Sequence, residues 1–127
     1  MKYYNPDEPL NTDAWLALDD EEKKTLVSKY HEHIKDEFPD ASALSMHSLI
    51  HVIVENQIAT NVDFVPETVT RLVRQGLPRH EAIHAISAIL MEDIYGMLKG
   101  ATKEFSSKKY RRKLERITPK RWRKGQY

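Results

Sequence analysis

Residues 47–53 read His47-Ser48-Leu49-Ile50-His51-Val52-Ile53, and residues 80–86 read His80-Glu81-Ala82-Ile83-His84-Ala85-Ile86. Both fit the pattern His-x-x-Ile-His-x-Ile. Around the first copy, apolar residues recur at Leu49, Ile50, Ile53, Val54 and Ile58; around the second, at Ile83, Ile86, Leu90, Ile94 and Met97. Intervals of three and four residues mark the buried stripe of a helix. No segment sustains the period-two alternation of a strand. The chain is therefore expected to be all-α, a compact bundle of five or six helices. A second copy 33 residues after the first does not make a solenoid, because two repeats cannot stack into one. It predicts two pseudo-symmetric histidine-bearing helices packed together.

Working outward from these two helices, punctuation residues place the rest. Pro6, Pro9 and Asn11 make the start an extended lead-in, and Thr12 or Asp13 caps a short turn through Trp15 and Leu18. Asp19 with Glu22 resembles a capping box opening a helix over residues 20–37, which Phe38-Pro39-Asp40 ends. The first histidine helix runs from Ala41 or Ser42 to about Thr60. Pro66 suits the first position of a short helix over residues 67–75, stopped by a left-handed Gly76. Pro78 opens the second histidine helix, which runs to about Lys99. A last helix over residues 103–117 has a thin apolar line at Tyr110, Leu114 and Ile117, and Thr118-Pro119 breaks it.

The 127 residues suit one domain, and 40% apolar with 31% charged is ordinary for a globular chain. There are no cysteines, which excludes disulfides, thiolate metal sites and a cysteine nucleophile. No run of eighteen apolar residues exists, so no membrane partner is expected. No apolar stretch follows a positive start, so no secretory leader is expected, and a cytoplasmic setting is the default. The net charge of +1 conceals a gradient: residues 1–40 hold 11 acids and 5 bases, whereas residues 108–127 hold 10 bases and 1 acid. The expected organisation is a helical domain over residues 1–107 followed by a basic C-terminal extension over residues 108–127.

Four of the six histidines belong to the repeated pattern. Composition alone gives roughly 0.3 histidine pairs at a spacing of four, so two pairs within one pattern exceed chance. On a helix, that spacing stacks two imidazoles on one face. At 100° per residue they fall at the edge of the isoleucine stripe, where a helix–helix seam would hold a partly buried ligand set. Neutral imidazole binds zinc, iron and nickel, so His47, His51, His80 and His84 are candidate ligands for a divalent transition metal. The competing reading is interface packing, with each ring bonded to a carboxylate or a carbonyl. Glu55, one turn after His51, is a candidate ligand or orienting group. Gln57 is less well placed, and Glu92 reads as a solvated charge. His31 and His33 are two apart and cannot share a face, so both are expected at the surface.

Residues 80–84 also spell His-Glu-x-x-His, the short motif of zinc hydrolases, in which Glu81 would be the catalytic general base. Glu104 is the candidate third ligand, since position 87 is Ser rather than a further histidine. That reading leaves His47 and His51 without a role.

Met46 to Ala59, with its Glu55-x-Gln57 element, followed by Gly76, Arg79 to His84 and a hydrophobic helix, resembles a group of small bacterial proteins catalogued as domain-of-unknown-function family eighteen-forty-one. The resemblance covers about residues 44–98. It implies a helical protein with paired histidines at His47, His51, His80 and His84, accompanied by Glu55 and Gln57, and implies no activity.

Beyond it, Lys108-Lys109-Tyr110-Arg111-Arg112-Lys113 and Lys120-Arg121-Trp122-Arg123-Lys124 interleave cations with aromatics. Arg111, Arg112, Lys113, Arg121 and Arg123 suit phosphate neutralisation, and Trp122 and Tyr127 suit base stacking. This makes a nucleic-acid-associated or adaptor protein the alternative function. Two plainer readings compete: a tail docked on the acidic N-terminal segment of the same or a neighbouring molecule, as in a homo-oligomer, or a solvated tail.

Overall fold

The computed structural model describes residues 1–34, 38–100 and 104–127. Within them the chain forms seven helices and no strand: α1 (Thr12–Leu16), α2 (Asp20–His33), α3 (Ala41–Ala59), α4 (Val65–Arg74), α5 (Arg79–Leu98), α6 (Ser107–Arg116) and α7 (Pro119–Arg123). The all-α bundle is as expected, and its two long helices are α3 and α5, which carry the repeated pattern.

Helix ends follow local chemistry. Asp19 accepts from the Glu22 backbone while Glu22 reaches back to the Asp19 backbone, a complete capping box. Asp40 caps α3 by accepting from Ala43 N. Gly76, at φ 97°, turns the chain after α4, and Leu77 N returns to Leu72 O at 3.0 Å. The expected ends of α2 at residue 37 and of the last long helix at residue 103 lie outside the described residues.

Two differences from expectation have local causes. Helix α4 begins at Val65, because Phe64 adopts a left-handed φ of 70° and releases the chain into the helix ahead of Pro66. The chain does break at Thr118-Pro119, but it restarts at once. The Thr118 side chain accepts from Arg121 N, and Pro119 occupies the first turn, where its missing N–H costs nothing.

Helix α3 is central, lying against α1, α2, α4 and α5; α5 also packs on α4 and α6. The main core joins Val54 of α3, Val65, Val69 and Leu72 of α4, Ile83, Ile86 and Ile89 of α5, and Tyr110, Leu114 and Ile117 near the C-terminus. Residues 108–127, expected as an extension, thus place three side chains in the same core as α5. A smaller core gathers Tyr4, Trp15, Val27 and Val52. Here the N-terminal lead-in is packed rather than loose. Trp15 Nε1 and Lys23 Nζ both donate to Asn56 Oδ1, at 2.9 and 3.0 Å, tying α1 and α2 to α3.

Candidate metal centre

Helices α2, α3 and α5 bring five imidazoles to one point. His31 comes from α2, His47 and His51 from α3, and His80 and His84 from α5, with one nitrogen from each within 4.8 Å of all the others. The closest approaches join Nε2 atoms: His47 to His31 at 3.0 Å, His51 to His84 at 3.2 Å and His51 to His80 at 3.3 Å. The four expected ligands therefore converge. His31 corrects the expectation of a surface residue, for it is fully buried. His33 is exposed, as expected. Two residues apart on α2, the two histidines face opposite environments. The sequence signal for His31 was its own place, four residues after the core residue Val27.

The groups behind the rings decide which nitrogens carry hydrogen. The Nδ1 of His31 is 2.8 Å from Val27 O. A carbonyl only accepts, so Nδ1 donates and Nε2 of the neutral ring keeps its lone pair. Tyr4 Oη donates to Glu55 Oε2 at 2.6 Å. Burial first, and then the Glu55 charge, push the phenol well above its ordinary pKa, so its proton stays in place. With that single hydrogen committed to Glu55, Tyr4 Oη accepts from His51 Nδ1 at 3.2 Å. Burial, then charge on His84, His31, His47 and His80, lower the His51 pKa far below its usual range. Neutral His51 with its hydrogen on Nδ1 presents a bare lone pair at Nε2. On the other side, His84 Nδ1 faces Glu81 Oε1 at 3.5 Å, and His84 Nε2 is 3.2 Å from His51 Nε2.

The His51 lone pair is met either by a hydrogen on His84 Nε2 or by a cation between the rings, and the five converging imidazoles could hold a metal ion. Two zinc–nitrogen bonds placed end to end span about 4.2 Å, and bonds at right angles separate nitrogens by about 3.0 Å. The closest nitrogens already fall in this range, the most distant lie within about 0.6 Å of it, and the five together could hold a metal ion.

Glu55 was expected as a ligand or an orienting group, and its carboxylate is engaged away from the ring nitrogens. Arg79 donates to both oxygens, Nη1 to Oε2 at 2.9 Å and Nη2 to Oε1 at 2.7 Å, with Glu55 fully buried. Burial alone would lower the Arg79 pKa; the hydrogen bond and charge of Glu55 overcome this and raise it. Glu55 therefore acts through Tyr4 on His51. Arg79 Nη1 also donates to Pro6 O, and Asp7 accepts from His80 N, so the N-terminal segment braces the start of α5. Gln57 faces away and accepts from Tyr110 Oη at 2.7 Å.

Glu81 lies behind the His84 ring, on the Nδ1 side, with Oε2 accepting from Trp122 Nε1 at 2.8 Å. The Glu81 carboxylate thus stands behind the ring rather than on the Nε2 side, where a general base would meet water bound to a metal. Glu104 is exposed and outside the cluster, and the Glu92 side chain is 53% exposed.

The proposed nucleic-acid residues divide. Arg111 pairs with Asp63 and Glu115, and Lys113 with Asp93 at 2.7 Å. Trp122 is half-buried against the main core, with the Tyr127 ring tilted against it and the centroids 5.4 Å apart. Arg112 and Arg123 are exposed, and Arg121 is half-buried. Among the described residues, no helix is long and apolar enough to cross a membrane.

His47 and His84 open onto an apolar groove of about 520 Å³. Compared with known proteins, the chain finds no matching family model, curated sequence or solved structure.

Proposed function

We propose that this chain is a metal-binding protein whose site holds one divalent transition-metal ion on His31, His47, His51, His80 and His84. The observation that supports this reading is the convergence of five imidazoles, one nitrogen from each within 4.8 Å of the others, with the Nε2 lone pairs of His31 and His51 fixed by the groups behind them. Five nitrogen donors exceed the four of tetrahedral zinc, so iron or nickel, which take five or six ligands, suit the set better. Two ions would stand about 3.5–4 Å apart and need a wider ligand shell than this one. The same paired histidines are those of the domain-of-unknown-function family that the chain resembles, and membership of it is part of the proposal.

Elemental analysis of protein purified without a histidine tag tests it. About one equivalent of metal is expected, falling to near zero in His51→Ala/His84→Ala and staying unchanged in His33→Ala. Less than a tenth of an equivalent, with no uptake of iron, nickel or zinc, would overturn it.

A further inference from the structure

The groove that His47 and His84 enter is walled by Met46, Ile50, Ala88, Met91 and Trp122. Apart from those two imidazoles, no ionisable side chain among the described residues lines it. Its other polar groups are engaged within the protein: Ser87 Oγ donates to Ile83 O at 2.7 Å and Trp122 Nε1 to Glu81. His31 and His51 are fully buried. A molecule in the groove therefore meets apolar walls and, at one end, the imidazoles of His47 and His84.

Charge decides the head of that molecule. Five neutral imidazoles leave a divalent ion with its full charge. Of the nearby carboxylates, Glu55 is matched by Arg79 and Glu81 stands behind His84. An anionic sixth ligand is favoured where the protein supplies no anionic donor. Resting on the metal-centre reading above, we infer that the groove seats a small aliphatic carboxylate. Its head completes the coordination sphere between His47 and His84, and its chain lies along Met46, Ile50, Ala88 and Met91.

Cobalt(II)-loaded protein gives the test, because its visible bands respond to a new ligand. Acetate, butanoate and hexanoate are titrated in turn. A fully buried methylene raises affinity roughly fourfold and a half-buried one roughly twofold, so hexanoate is expected to bind at least about tenfold more tightly than acetate. 1-Hexanol, with the same body and no anionic head, is expected to leave the bands unchanged. Ala88→Phe fills the groove and is expected to abolish the gain with chain length while keeping one equivalent of cobalt and the acetate response. Equal affinity for acetate and hexanoate, or an Ala88→Phe variant that keeps the gain, overturns the groove assignment while leaving the metal centre standing. A band shift with 1-hexanol overturns the anionic head. Absence of cobalt uptake overturns the metal centre and this inference with it.

Discussion

Behind His51 stand Tyr4, Glu55 and Arg79; the first two are buried and all three are joined by hydrogen bonds of 2.6–2.9 Å. Behind His84 stand Glu81, with 46% of its side chain exposed, and the indole of Trp122 from the last helix. The two histidines occupy the same position in one seven-residue pattern, so the pattern itself does not determine their backing. What differs is what packs over each helix. The N-terminal segment closes over α3, and the C-terminal segment reaches α5 from the solvent side. One ring is held by a dry network, the other by a wet one. The same change made behind each ring should have unequal consequences.

The largest difference is expected in stability. Glu55→Ala strands the Arg79 guanidinium in the interior, and breaking a buried pair from one side costs about 3–5 kcal/mol. Glu81→Ala removes one half-exposed acceptor and is expected to cost about 1 kcal/mol. Urea denaturation of both variants without metal measures the contrast. Equal losses would mean that the two backing networks are energetically alike.

Metal affinity gives the next largest effect. Tyr4→Phe leaves the Glu55–Arg79 pair in place but removes the acceptor that holds hydrogen on His51 Nδ1. Losing such an orienting partner weakens binding roughly 10–100-fold. Competition against a chelator of known affinity reads this directly, and an unchanged dissociation constant would show that Tyr4 only fills space.

Acid should affect the metal-free protein in a way that reports on the cluster itself. His80 faces His31, His51 and His84, as well as Asp7 and Glu81. Burial first, then the charges on His84 and His31, lower its pKa from 6.5 to about 4, against an opposing pull from the two carboxylates. The unfolded chain therefore takes up this proton before the folded one does. Stability is intact above pH 6.5, falls as the pH drops from 6.5 to about 4, and loses nothing further from this group below that. His51, lowered further by burial, extends the loss to more acidic pH. Thermal unfolding of metal-free protein between pH 7.5 and 4 should show this fall, with a shallower slope in His80→Gln. Saturating metal should flatten it, because bound nitrogens take up no proton until the ion leaves.

How much of this could be read from the chain follows the same division. The period of the isoleucine stripes and the caps at Asp19 and Gly76 are local, and they placed the long helices to within a residue or two. The convergence of His47, His51, His80 and His84 followed because pairs spaced by four residues share a face wherever that face turns. His31 did not follow, because its role depends on how α2 lies against α3, which no spacing within α2 encodes. Tyr4 is harder still: its contact with His51 spans 47 positions and comes from a segment without periodicity. Glu55 has the right spacing for a ligand, but Arg79 takes both its oxygens, and that pairing is set by the packing of α5 on α3. The tail was legible as charge but not as packing. Its apolar line at Tyr110, Leu114 and Ile117 is thin beside its ten bases, yet those three side chains are the ones the core takes in.

The smallest expected effect lies where the tail meets the cluster. Trp122 Nε1 holds Glu81 Oε2 at 2.8 Å, while Glu81 Oε1 is 3.5 Å from His84 Nδ1, a contact too long and too wet to fix the ring strongly. Trp122→Phe keeps an aromatic ring against the core and against Tyr127 but releases Glu81 to solvent. Metal affinity is then expected to fall by less than about tenfold, below the range for tightly held orienting groups. In Glu81→Gln/Trp122→Phe, no further loss beyond Glu81→Gln is expected, because the indole influences His84 only through that carboxylate. Additive losses in the double variant would instead show that Trp122 acts on His84 by another route, such as shielding the groove from water.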